Sequence, residues 1–214
     1  MKKTFSGIVL FTFLVISCSE APIKEEETTT ATPEVAKEVV KMPDSATMMK
    51  NWETYMTPGP IHAMMASWDG TWLGESSMWE GPDKPRVNYS LTTVNKMIMG
   101  GRYQEATNTG EMMGMPFEGH SLSGYDNHKK VFKSTWIDNF GTGIMVLEGP
   151  WDEATKTMNL TGTMVDPGMG VADETPIRQV FKIVDADHQE MQMFSTFPGM
   201  GEVMMMEIKW TRKK

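Results

Sequence analysis

From Gly70 to Arg212, apolar and polar residues alternate with a period of two, and turn-forming residues interrupt the pattern about every ten positions. Successive side chains of an extended chain point to opposite faces, so this alternation predicts strands with one buried and one wet face. Met158, Leu160 and Met164 share one face of their run, with Asn159, Thr161 and Thr163 on the other. Near the C-terminus Met204, Met206, Ile208 and Trp210 oppose Glu207 and Lys209. Ten such runs begin near Thr71, Arg86, Arg102, Phe117, Lys130, Gly143, Lys156, Thr175, Gln189 and Glu202.

No stretch between these runs is long enough for a helical crossover, so sequential antiparallel pairing is the economical topology. Ten strands in an open sheet would leave two long edges unpaired, and closure removes both. The predicted fold is therefore all-β: a ten-stranded antiparallel up-and-down barrel. Ahead of it, Asp44 or Ser45 can cap a helix through "ATMMKNWETYM", "TPGP" stops it, and Pro60 suits the first turn of a second helix, "IHAMMASW". Both short helices lead into the first strand and are expected to plug that end of the barrel, which makes 44–214 one domain.

Successive turns of a meander fall at alternate ends. One end collects "EGPDKP", "GEMMGMP", "NFGTG", "DPGMGVADE" and "PGMG"; the other collects "MGG", "YDNHKK", "WDEATK" and "VDADHQ". The second set lies at the helix end, so the first set rims the mouth, where a barrel of this size admits a ligand. Met112, Met113, Met115, Phe117, Phe140, Met169 and Met200 are the expected mouth residues, and "GEMMGMPFEG" reads as a flexible apolar loop beside the opening. Met158, Met164, Met191, Met193, Met204 and Met206 are expected to line the interior.

Methionine is the compositional oddity, with 23 Met against 7 Leu. Three readings stand together: adaptable core filler, a pliable lining for hydrophobic ligands, or thioether capture of Cu(I) by pairs such as Met112/Met113, Met97/Met99 and Met191/Met193. The histidines are scattered: His62 in the second helix, His120 in a strand, His128 and His188 in turns, with no metal-ligand spacing among them. No nucleophile elbow is present. Asp126, Asp152 and Asp185 fall where hairpin turns need a side-chain acceptor, and Gly100-Gly101-Arg102-Tyr103 is a tight turn, lacking the helix and lysine of a phosphate loop. No catalytic residue, cofactor or metal site is assigned, and an enzyme is not expected. A net charge of −8 disfavours nucleic acid as a partner.

Lys2 and Lys3 precede the apolar run "FSGIVLFTFLVI", which ends in Val15 and Ile16 and is followed by Ser17 and Cys18. This resembles a bacterial lipoprotein signal peptide with its lipobox, which implies cleavage after residue 17 and acylation of Cys18, the single cysteine of the chain. Residues 18–43, rich in Glu, Thr, Lys and Pro, then read as a disordered tether. The implied address is the Gram-negative cell envelope, lipid-anchored, at the outer membrane on its periplasmic face or the cell surface. Ser19 argues against inner-membrane retention.

Gly70-Thr71-Trp72 at the start of the first strand and Arg212 at the end of the last resemble the closed-end signature of the lipocalin or calycin barrels, which implies that Trp72 packs against Arg212. The blocks "MGGRY", "MGMPFEG", "GYDN", "STWIDNFGTGIM" and "MEIKWTRKK" resemble the bacterial family known as domain of unknown function 1579, over about Trp52 to Lys214. That likeness implies a calycin-like barrel and transfers no catalytic residue. The expected role is binding a small hydrophobic molecule inside the barrel. The alternative is a structural or protein-interaction lipoprotein with a filled interior, and copper binding is the third reading.

Overall fold

Residues 41–167 and 174–214 are described by a computed structural model. Cys18 and Met169 lie outside them. Two helices, α1 (Ser45–Met56) and α2 (Pro60–Ala66), precede strands β1 (Gly70–Met78), β2 (Val87–Ile98), β3 (Tyr103–Met112), β4 (Met115–Asp126), β5 (Val131–Asp138), β6 (Met145–Gly149), β7 (Trp151–Asp152), β8 (Thr157–Met164), β9 (Thr175–Ile183), β10 (His188–Phe197) and β11 (Gly201–Arg212). Each strand pairs antiparallel with its sequence neighbour, β1 pairs with β11, and β6 pairs with β8. Strands β6 and β7 are one strand interrupted at Pro150, and both pair with β8. The result is a closed ten-stranded antiparallel up-and-down barrel.

Glycine makes the interruption possible. A Cβ on Gly149 would lie 1.8 Å from the Asn159 carbonyl oxygen, and one on Gly162 would lie 2.2 Å from that of Val146. Only a residue without a side chain lets the two backbones approach this closely where the barrel closes.

The stretch 110–119 is not a loop. Residues 110–112 and 115–119 belong to the β3–β4 ladder, and only Met113 (φ 53°) and Gly114 (φ 72°) form the turn between the paired Met112 and Met115. Two left-handed residues match the twist of the flanking strands, which is why so short a connection suffices. At the other end, the Asp126 carboxylate accepts hydrogen bonds from the His128 and Lys129 amides and Asp152 from those of Ala154 and Thr155, each turn ending in a left-handed lysine, Lys130 or Lys156.

The plug is made by α2 and the residues after it. Met65 and Trp68 are buried with Phe132, Leu147, Met158, Leu160 and Ile177, and Met97, Met164 and Met193 pack against that group. Trp72, Met191, Ile208 and Trp210 form a second cluster, joined by Met206. Helix α1 buries no residue. It stands off the barrel rather than plugging it, held by Asn127, whose amide donates to the carbonyls of Tyr55 and Thr57 at 3.2 and 2.8 Å.

Candidate functional site

The closed end fixes the geometry of everything above it. Trp72 donates its indole N–H to the Trp68 carbonyl at 2.9 Å, and the Arg212 guanidinium lies 4.1 Å from the centre of the Trp72 ring. Arg212 also donates Nη1 to Asp69 O at 2.7 Å, Nη2 to Ser67 O at 2.7 Å and Nε to Ala186 O at 3.1 Å. The Ser67 and Asp69 carbonyls lie where the chain leaves α2 and that of Ala186 lies in the β9–β10 turn, so a single cation ties the plug and that turn to the last strand. Gln104 donates to Met65 O, and Asn95 to Trp68 O, completing the seal from β2 and β3. Buried His62 accepts the Gly59 N–H at Nδ1 and meets Tyr125 edge-on. Burial lowers its pKa, so the imidazole is held neutral.

Strand register sorts the remaining side chains between lumen and exterior. Cross-strand partners share a face, so Trp72, Thr93, Asn108 and Gly119 point inward together, as do Gln104, Ser123 and Ser134, and Ala106, Ser121 and Trp136. Across the barrel, the inward set from β8 to β11 is mainly apolar, with Met158, Leu160, Met164, Ile177, Phe181, Met191, Met193, Met206, Ile208 and Trp210, and Thr175, Gln179, Gln189 and Ser195 interspersed. The lumen thus has two unlike walls, one richer in small polar residues and one dominated by methionine and aromatic surface. The polar wall inverts the usual rule. Val94, Leu122, Ile137 and Val146 face out and are 42–50% exposed, while Thr93, Ser121, Ser123 and Ser134 face in.

Several inward groups are poised for hydrogen bonds. Trp210 donates to the Thr93 hydroxyl, which donates to the Asn108 side-chain oxygen at 2.6 Å. Ser76 and Gln189, both buried, flank the Ile208–Trp210 stretch from β1 and β10, and the Ser76 Oγ and Gln189 Nε2 have no protein partner. Ser121, Ser123, Ser134, Trp136 and Gln179 point inward and yet keep partial exposure, so the lumen above the plug is accessible to solvent.

Of the expected interior residues, Met158, Met164, Met191, Met193 and Met206 belong to the two clusters. Met204 does not. An extra residue, Met205, bulges β11 opposite Met193, so Met204 pairs with Phe194 and both turn to the outer face, where Arg178 lies 3.9 Å from the Phe194 ring centre. Met97 packs in the plug while its expected companion Met99 lies in a turn, 70% exposed.

The expected mouth residues other than Met169 fall at the end opposite α2 by strand order. Phe117 and Phe140 come together, their ring centres 5.7 Å apart, and Phe117 also stacks on Trp136 at 6.3 Å. Met112 is partly buried at the hairpin tip, whereas Met113, Met115 and Met200 are 63%, 47% and 45% exposed. Three aromatic residues at this end were not foreseen. Trp136 is pinned by a 2.7 Å hydrogen bond to Asp138 and lies over Gly119, where a Cβ would be 2.5 Å from its ring; Trp79 packs on buried Phe197 at 5.7 Å. The available signal was a glycine diagonal to a tryptophan across β4 and β5, Gly119 pairing with Asp138 and Trp136 with Ser121. Among the described residues, no group of three or more His, Cys, Asp or Glu side chains is placed to hold a metal ion.

A concavity of about 510 Å³ also lies on the outer face of β3 to β5, lined by Glu105, Thr107, His120, Ser121, Leu122, Thr135, Ile137 and Ile144.

A closed antiparallel barrel with a tryptophan–arginine pair at its sealed end defines a calycin-like protein. More particularly, residues 57–212 match the family described as protein of unknown function (DUF1579), and the chain belongs to that family. Among solved structures, that of Rv2717c from M. tuberculosis is similar with a TM-score of 0.55 and 13% identity, covering 74% of this chain and all of its own. The S-type phycobiliprotein lyase CPES from Guillardia theta is similar with a TM-score of 0.50 and 10% identity, covering 80% of this chain and 99% of its own. At these identities the likeness is one of fold. No curated protein matches the chain.

Proposed function

We propose that this protein is an envelope lipoprotein, anchored through Cys18, that binds a small amphipathic molecule in its barrel lumen through the end opposite α2. The observation that carries the reading is the two-walled lumen. A purely apolar ligand would leave the serine and asparagine side unmatched, and a purely polar one would leave methionine and aromatic surface in contact with water. A molecule with one apolar face and one hydrogen-bonding edge satisfies both walls and gives partners to Ser76 and Gln189. Methionine suits the apolar wall because its unbranched side chain repacks around different shapes. The neighbour named as a phycobiliprotein lyase shares the barrel fold.

A second reading, docking of a protein partner, draws on the outer concavity beside exposed Leu122, Ile137 and Ile144. One experiment separates the two. Native mass spectrometry of protein from its own host should show a co-purifying small molecule, and Ser121→Leu with Ser134→Leu, which fills the lumen from its polar wall, should abolish it without lowering the melting temperature. Retention of the ligand by the filled variant would overturn lumen binding. Loss in a Leu122→Ser/Ile137→Ser variant instead would favour the outer face.

A further inference from the structure

Helix α1 is amphipathic, and among the described residues its apolar side is left largely uncovered, with only Met48 partly buried. At about 100° per residue, Met48, Met49, Trp52, Tyr55 and Met56 fall within an arc of roughly 120°, with Thr47, Lys50, Asn51, Glu53 and Thr54 opposite. A stripe of this kind ordinarily turns toward a core. Here Met49 is 73%, Trp52 61%, Tyr55 47% and Met56 50% exposed. The helix is well begun, with Asp44 accepting the Thr47 amide at 2.8 Å, and well anchored at its end by Asn127. It is nonetheless only 12 residues long, too short to be stable in water without a surface against its apolar side.

Two observations identify that surface. The family match begins at residue 57, so α1 is an addition ahead of the shared barrel rather than part of its packing. It also follows the lipobox cysteine by only about 25 residues, and a flexible chain of that length has a mean span on the order of 25–30 Å. On the lipoprotein reading, α1 is thus held near the bilayer with an apolar stripe uncovered. Tryptophan and tyrosine, apolar in body with a polar tip, are the residues that favour the headgroup level. The helix carries Asp44, Lys50 and Glu53, with no cationic cluster, so its attraction is apolar and does not require anionic lipid.

We infer that α1 lies in the headgroup region of the membrane that holds the acyl anchor, with Met49, Trp52, Tyr55 and Met56 buried in lipid. Asn127 belongs to the turn between β4 and β5 at the closed end, so this placement sets the closed end toward the bilayer and the mouth away from it. The lumen then exchanges its ligand with the aqueous compartment, not laterally with the anchoring membrane. The inference rests on the lipoprotein reading.

The test uses the full acylated protein in vesicles of phosphatidylcholine and phosphatidylethanolamine. Lipids brominated near the headgroup should remove the emission that Trp52 contributes, measured as the difference between wild type and Trp52→Phe, and amides 45–56 should exchange more slowly with vesicles than without them. Both effects should persist in high salt. Undiminished Trp52 emission in an acylated, vesicle-bound protein overturns the helix placement alone. Protection of 45–56 without lipid overturns it in favour of coverage by the chain itself, a second copy or a protein partner. Absence of acyl mass on Cys18 instead overturns the anchor.

Discussion

At the closed end Arg212 alone satisfies three backbone carbonyls and covers the Trp72 ring, and Gln104 and Asn95 bind two more carbonyls of the plug. At the open end the tips are methionines and phenylalanines, with Met113, Met115, Phe140 and Met200 each at least 40% exposed. The difference is one of obligation. A plug inserted into a barrel buries backbone groups that have left their ladder, and each must find a donor or destabilise the fold. A rim of turns leaves its backbone in water, so its side chains are free to serve recognition. Stability concentrated at one end is what allows the other to be apolar without being core.

Cutting the closed end should therefore produce the largest loss. Arg212→Ala removes three hydrogen bonds from a cation, each typically contributing ~1.5–3 kcal/mol and not additive, together with the contact to Trp72. We expect a loss of about 3 kcal/mol or more in urea unfolding, and Arg212→Lys, which keeps the charge without the fork, should recover only part of it. Phe140→Ser at the open end should cost within about 1 kcal/mol. Equal losses at the two ends would abolish the contrast.

Much of this division was legible from local chemistry. The ten strands and the sorting of turns followed from alternation and from glycine- or aspartate-bearing turns, both of which act over a few residues. Two features escaped for the same physical reason. Alternation reveals a face only when apolar and polar residues differ across it, and in "VMMME" every residue from Val203 to Met206 is apolar, so nothing marked the bulge at Met205 that turns Met204 outward. In β4, "HSLSGY" alternates clearly but in the opposite sense, with Leu122 out and Ser121 and Ser123 in. Period two gives the faces, and only the closed register says which one is the lumen. The sequence led both short helices into the plug, and nothing local marked α1 as the one that buries no residue.

The next largest effect separates by pH the buried plug from the surface turns of the same closed end. His62 is buried in the plug with its Nδ1 already accepting the Gly59 amide, and burial, with a smaller effect from Arg102, lowers its pKa from the ordinary 6.5. The unfolded chain takes up a proton near that value while the folded protein resists, so stability falls as pH drops below about 6.5. The turn carboxylates Asp126, Asp152 and Asp185 are held low by hydrogen bonds, led by the Lys129 amide, the Thr155 side chain and the Asp187 amide respectively. Their contribution is present above the ordinary carboxylate value of 3.8 and lost only below it. Urea midpoints should thus decline in two separate windows. His62→Gln should flatten the upper window and leave the lower one, and an unchanged upper window would mean that His62 does not govern the plug.

The smallest effect bears on why the open end carries methionine at all. Met113 occupies the first position of a two-residue turn at φ 53°, a conformation that costs an ordinary side chain roughly 1 kcal/mol and suits Asn or Gly. Its side chain is 63% exposed, so no burial compensates. Met113→Asn should accordingly raise stability by ~0.5–1 kcal/mol, read as a small rise in melting temperature. If the methionine is retained for recognition, the same variant should bind a hydrophobic fluorescent probe more weakly, giving opposite signs for stability and binding at one exposed atom group. A gain in stability with unchanged probe affinity would assign recognition to the Phe117–Trp136–Phe140 aromatic group instead and leave the hairpin tip with no part in it.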